Sequence, residues 1–251
     1  LIINRTGNKM DLTGKTAIVT GASTGIGKEI ARAYARAGAR TVLAARSADK
    51  LESLAEDIRA SGGEALPVPT DVTDEEQVEA LFGKCLSAYG EPHILVNNAG
   101  IADHTPTDQL TKARWDEIIA INMTSVFLCS RAAFRLMKEG GKGGRIVNIG
   151  SISAKVPRQN TLGYTASKFA LEGMTRSLAL DGREFGIAVS MLHPGSTVSD
   201  LVPGVTNVPR PNTMSPEDVA RLALLMVTLP ADVNLFESTI LPVGMPFLGR
   251  G

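Results

Sequence analysis

Short, β-branched, almost wholly apolar runs alternate with longer segments of helical periodicity along nearly the whole chain. The runs TAIVT (16–20), TVLAA (41–45), ALPVP (65–69), HILVN (93–97), RIVNI (145–149), IAVSML (187–192) and STILPV (238–243) predict strands. Between them, 27–37, 50–60, 74–89, 115–137, 161–185 and 215–228 read as helices. In the first of these, Ile30, Ala33, Tyr34 and Ala37 follow the i, i+3, i+4, i+7 spacing of one buried face. Asp74 is placed as an N-cap, and Ser215-Pro216 opens the last helix. Strands apolar on both faces belong in a parallel sheet covered on both sides. Right-handed crossovers between such strands give a doubly wound α/β fold of about seven strands. Ligands then sit beyond the carboxyl ends of the strands, so those ends are where chemistry is sought.

A chain of 251 residues, 43% of them hydrophobic, suits one domain of this type. The domain is assigned to 11–251, with 1–10 an N-terminal arm or tag remnant that lacks the pattern of a signal peptide. Lys+Arg and Asp+Glu are both 26, so the basic excess of a nucleic-acid binder is missing. No apolar run reaches the ~18–20 residues of a membrane span. Cys85 and Cys129 have neither metal-ligand nor disulfide spacing; they read as small buried hydrophobes of a reducing, cytoplasmic protein. Three scattered histidines give no metal site. The longest irregular stretch, 199–213, carries prolines at 203, 209 and 211 and is expected to be functional; the substrate loop is set at 196–213.

The first strand ends in TGASTGIG (20–27), with Gly21, Gly25 and Gly27 around Ser23, Thr24 and Ile26. Gly21 permits a tight turn. The other two let backbone approach an anion and let the helix pack on the sheet, with a helix N-terminus offering N–H groups to a pyrophosphate. Three residues separate the first two glycines, unlike the G-x-G-x-x-G dinucleotide pattern. The second strand ends Ala44-Ala45-Arg46-Ser47. NAD-binding folds place an acid there for the ribose hydroxyls. An arginine suits a 2′-phosphate instead, which points to NADP(H), with NAD(H) the alternative.

Other strand ends supply Asp71-Val72, Asn97-Asn98-Ala99-Gly100, Gly150-Ser151 and Pro194-Gly195, and YTASK stands at 164–168. Together with the glycine turn, this set resembles the short-chain dehydrogenase/reductase family, Rossmann-like enzymes of about 250 residues. The resemblance runs from about Leu12 to Thr228 and includes the thirteen-residue spacing of Ser151 and Tyr164. It implies a catalytic set of Asn122, Ser151, Tyr164 and Lys168. It implies adenine contacts from Asp71 and Val72, and a cofactor-backing segment Asn98-Ala99-Gly100. The nicotinamide would face Pro194-Gly195 and Thr197, with Lys168 on its ribose. In this role Asn122 holds a water linking Lys168 to solvent. The chain departs from the family after its last strand, where ILPVGMPFLGRG (240–251) replaces the usual V-D-G-G. The family habit also implies a homo-oligomer, tetramer or dimer, built on the two long helices.

Tyr164 and Lys168 stand four apart on one helix face, so the ammonium is expected to lower the tyrosine pKa. Tyr164 would then be general acid/base and Ser151 a donor to the carbonyl oxygen. The expected activity is hydride transfer between a nicotinamide and a small alcohol/carbonyl substrate. A dinucleotide-binding redox sensor without turnover is the alternative. His193 reads as structural or pocket-lining and His104 as an exposed loop residue. Lys155, Arg158 and Arg210 are expected to border the cleft.

Overall fold

The computed structural model describes residues 10–199, 201 and 210–247. Seven strands form one parallel sheet: β1 (Thr16–Thr20), β2 (Arg40–Ala45), β3 (Glu64–Pro69), β4 (Ile94–Asn97), β5 (Gly144–Ile149), β6 (Ile187–Pro194) and β7 (Glu237–Ile240). Their order is β3-β2-β1-β4-β5-β6-β7, with registers such as Ile18 opposite Val42 and Leu95. The chain winds outward from β1 to β3, then returns to β4 on the other side of β1. That reversal leaves a crevice at the carboxyl ends of β1 and β4, where ligands of doubly wound sheets bind.

Side-chain alternation sorts the strands onto two cores. Ala17, Val19, Leu43, Val96 and Val147 face α1 (Gly25–Arg36), α2 (Ala48–Ala60) and α7 (Pro216–Thr228), where Ile30, Tyr34, Leu54 and Met226 meet them. Ile18, Val42, Leu95 and Ile146 face α3 (Glu75–Tyr89) and α5 (Ser125–Gly140) through Leu81, Phe82 and Ala132. Burying both faces accounts for the near-continuous apolar runs. The Tyr34 hydroxyl, fully buried, donates to Ala223 O at 3.0 Å and ties α1 to α7. Arg145 donates to Leu229 O, Pro230 O and Val233 O, closing the carbonyl end of α7 with a cation.

Several element boundaries differ from the sequence reading, three of them most clearly. The helix expected at 115–137 is α4 (Lys112–Ile119), a π-helical turn (Ala120–Thr124) and α5 in one continuous run. That run, Lys112–Gly140, is 29 residues long and contains an 18-residue window of mean hydropathy 1.3, so it does reach bilayer length. Half of that window is buried inside the protein, as for a core helix. The helix expected at 161–185 is α6 (Leu162–Gly182) followed by a 3₁₀ turn (Arg183–Phe185). The last strand stops at Ile240 rather than 243, two residues before Pro242. Cys85 and Cys129 are buried and unbridged, and burial pushes both thiols up to about 12.

Candidate active site

The crevice opens into a cavity of about 1700 Å³. One small ligand usually occupies ~300–1,000 Å³, so there is room for a dinucleotide and a second molecule. At one end lies the β1–α1 turn, where Gly21, Ser23, Thr24, Gly25 and Ile26 line the wall. The helix begins at Gly25, two residues earlier than its periodicity suggests. Its N-cap, Thr24, is extended and makes no side-chain cap, so the first-turn N–H groups remain available to an anion. Gly21 has φ +62°, and a Cβ there would stand 2.8 Å from Asn98 Nδ2. Gly27 does not line the cavity. It is glycine because a Cβ would stand 2.3 Å from Gly21 O and 2.4 Å from Asn98 Nδ2. Asn98 is the latch: Nδ2 donates to Thr20 O and Gly21 O at 3.1 Å, while its own N–H is accepted by Thr20 Oγ1.

Arg46 is exposed at the end of β2 and lines the cavity with Asp71 and Val72. The Asp71 carboxylate accepts from the Thr73 hydroxyl at 2.7 Å and from the Thr73 N–H at 2.9 Å. Those bonds, with the Arg46 charge, hold its pKa below the ordinary value. Ala99 and Gly100, which follow β4, and Pro194, Gly195 and Thr197, at and after the end of β6, also line the cavity.

At the other end Ser151, Tyr164 and Lys168 share the cavity surface. Ser151 leaves β5 in extended conformation and caps a 3₁₀ turn (Ile152–Ala154), its Oγ accepting from Ser153 N at 3.1 Å. The hydroxyl hydrogen therefore stays available. Lys168 Nζ donates to Ile149 O at 2.9 Å and lies 5.7 Å from the centre of the Tyr164 ring. Burial pushes this ammonium down to about 8.

The expected lowering of Tyr164 by Lys168 is corrected here. Burial raises the phenol pKa, and the opposing influences are the Ser151 hydroxyl and the Arg158 charge. Desolvation exceeds both, so without a bound cofactor Tyr164 holds its proton across neutral pH.

Asn122 does not line the cavity with the other three. It is 1% exposed at the π turn. Its Oδ1 accepts from Ile101 N at 2.9 Å, and its Nδ2 donates to Ile101 O and Ser167 Oγ, both at 3.0 Å. The extra residue per turn aims the side chain at the irregular segment following Gly100 and at α6, which joins the two walls from behind. Lys155 is a second correction. It pairs with Glu172 at 2.8 Å and Glu237 at 2.6 Å instead of bordering the cleft. Arg158, Arg210 and His104 do line it. The 196–213 loop is described only at 196–199, 201 and 210–213; the rest of that expectation lies outside the described residues.

The sequence reading named Asn97 but missed the polar line it starts, and it missed two residues after β7. Asn97 Nδ2 donates to Asn148 Oδ1 at 2.8 Å, and Asn148 Nδ2 donates to Thr175 Oγ1 at 2.9 Å, a buried polar line that fixes α6, the carrier of Tyr164 and Lys168, against the sheet. An asparagine inside the apolar run RIVNI was its signal. Met245 and Pro246 also line the cavity, with Met245 Sδ accepting from Ser196 N at 3.5 Å. Nothing local in the sequence around Met245 marks it.

The short chain dehydrogenase family model matches residues 15–208. The chain is 38% identical, over 83% of its length and 84% of the relative's, to cis-4-hydroxycyclohexanecarboxylate dehydrogenase of Sinomonas cyclohexanicum. A metagenomic short-chain oxidoreductase solved with NADP superposes with a TM-score of 0.81 at 34% identity, over 91% of this chain and 97% of that one. The 3-ketoacyl-(acyl-carrier-protein) reductase of Brucella melitensis solved with NADH gives 0.85 at 28%, over 93% and 99%. With the glycine turn, the strand order and the serine–tyrosine–lysine wall in place, the chain belongs to the short-chain dehydrogenase/reductase family and is an oxidoreductase of CH–OH/C=O groups using a nicotinamide dinucleotide.

Proposed function

We propose that the protein transfers a hydride between NADP(H) and the carbonyl or alcohol carbon of a small molecule, with Tyr164 as general acid/base. One observation carries the reading: Ser151, Tyr164 and Lys168 meet in the same cavity whose far end holds the free N-terminus of α1 and the exposed Arg46. The residues present fit a dinucleotide. The α1 N–H groups would take the pyrophosphate, and the Arg46 guanidinium would take a 2′-phosphate where an acid would have repelled it. Asp71 and Val72 border the adenine end, and Pro194, Gly195 and Thr197 the nicotinamide end. When bound, the cofactor supplies or accepts the hydride.

The chain's own part is polar. Ser151 Oγ, already accepting from Ser153 N, directs its hydrogen to the substrate oxygen. Tyr164, held neutral by burial, gives its proton to the oxygen as charge develops there. Lys168 spends one donor on Ile149 O and keeps two for the cofactor ribose. Asn122 holds the Ile101 segment and α6 together so that the donors stay in place. Two further features belong to this reading. The exposed apolar residues Phe127 on α5 and Leu162, Phe169 and Leu180 on α6 support a homo-oligomer built on these helices, and the buried unbridged thiols support a cytoplasmic setting.

The test follows reduced-nicotinamide absorbance with NADPH and NADH in parallel against ketones, aldehydes, keto acids and acyl thioesters. Turnover preferring NADPH is expected, with Tyr164→Phe binding NADPH but at least ~10³-fold slower, since general acid catalysis contributes ~10²–10⁴-fold. An active Tyr164→Phe enzyme would refute the mechanism. An NADH preference would refute the role of Arg46. Tight NADPH binding with no turnover on any substrate would favour a redox sensor.

A further inference from the structure

His193 takes no part in the reaction just described, yet its imidazole is fully buried directly beside the serine. It is the last residue but one of β6, immediately before Pro194-Gly195. Its Nδ1 lies 2.8 Å from the carbonyl oxygen of Ser151. A carbonyl only accepts, so Nδ1 carries the proton. The same oxygen accepts from Ala154 N at 3.0 Å, which engages both of its lone pairs. The ring fits because residue 150 is glycine: a Cβ there would stand 2.8 Å from Nδ1 and 2.6 Å from Met191 Cε.

The far side of the ring is poorly served. Nε2 is buried without a hydrogen bond among the described residues and lies 3.6 Å from Glu237 Oε1. That oxygen already holds Lys155 Nζ at 2.6 Å. Lys155 also pairs with Glu172, and Arg176 bridges Glu172 and Glu237. With Nδ1 protonated, Nε2 turns a bare lone pair toward a carboxylate, and burial opposes the added proton that would relieve this. A buried polar atom left in this state destabilises the fold. What the ring gains in return is its bond to Ser151.

We propose that His193 is a positioning residue: its Nδ1–H fixes the Ser151 peptide and thereby the direction of the Ser151 hydroxyl. The inference rests on the reading of Ser151 as donor to the substrate oxygen. The leverage is local. Ser151 begins a 3₁₀ turn of only three residues, and its Oγ is held inside that turn by Ser153 N. Rotating the 151–152 peptide breaks the Ala154 contact and displaces the turn whose Ser153 N–H orients the Ser151 hydroxyl. Small misplacements of this kind lower rates by up to ~10²-fold.

Two substitutions separate positioning from mere filling of space. His193→Asn puts an amide N–H where Nδ1–H now points; His193→Leu fills the space without a donor. Steady-state kinetics with NADPH and a ketone that the wild type reduces should show kcat of His193→Leu down about tenfold or more. KM and the NADPH dissociation constant should stay within about twofold, and His193→Asn should recover most of kcat. Unchanged kcat in His193→Leu, or equal loss in both variants, overturns the proposal. Nitrogen-15 spectra of the wild-type rings, only three in number, test it without any variant. A protonated Nδ1 is expected for His193, and a bare Nδ1 overturns it. Ser151→Ala distinguishes the levels: if it is fully active the donor reading fails, and if it is inactive while His193→Leu is not, only the positioning role fails.

Discussion

Lys168 keeps an ammonium group 6% exposed with one hydrogen bond, to Ile149 O. Burial lowers its pKa to about 8, whereas the unfolded chain holds that proton to ~10.4. Between those values the unfolded state binds more protons, so stability rises with pH from about 8 to 10.4 and is lowest below about 8. Lys168→Met is therefore expected to raise the melting temperature of the ligand-free protein at pH 7 by several degrees while removing activity. The gain over wild type should shrink toward pH 10. Thermal unfolding of both proteins across this range checks it; a less stable variant at pH 7 would show that the Ile149 bond outweighs desolvation. The residue identities of this site were readable in the sequence, but their protonation was not. Spacing puts Tyr164 and Lys168 on one face, yet whether burial or charge sets the phenol depends on walls contributed by other segments. Lys155 shows the same limit: its partners Glu172 and Glu237 lie 17 and 82 positions away.

At the scale of elements, the β1–α1 unit is the most legible part of the molecule, because a strand, a glycine turn and a helix are local events. Its packing adds a distinction that composition hides. Gly27 has no room for a Cβ against Gly21 O and Asn98 Nδ2, whereas Gly83, exposed within α3, has nothing within 4 Å. Gly27→Ala should lose about 1–3 kcal/mol or more of stability and weaken NADPH binding by about tenfold or more, since the turn must open. Gly83→Ala should gain about 0.4–1 kcal/mol with no change in binding. Denaturant unfolding and cofactor titration of the pair give both numbers; a tolerated Gly27→Ala would mean the turn is softer than its contacts indicate. The π turn at 120–124 was not legible. It carries the pairing of Asn122 with Ile101, a contact that helical periodicity does not encode.

On the proposed function the crevice of the whole molecule divides along its length. Its cofactor end is then lined by local turns after β1, β2 and β3, which the family resemblance names by residue. The stretch after β7, where the chain leaves the family pattern, also reaches the cleft, and there Met245 and Pro246 entered it without notice from the sequence. The outer faces of α5 and α6 present Phe127 at 48%, Phe169 at 46% and Leu180 at 62% exposure. Phe169→Glu with Leu180→Glu should convert an oligomeric wild type to a smaller species in sedimentation velocity; a wild type that already sediments as a monomer would remove this reading. The two thiols carry a practical consequence. Cys85 and Cys129 are buried and held as neutral thiols, so alkylating reagents that attack thiolates should pass them by. The native chain is then chemically silent toward maleimides, and a single cysteine introduced beside the cleft, for instance at Ser199 or Leu201, would carry a fluorophore that reports ligand entry without first stripping the natural cysteines.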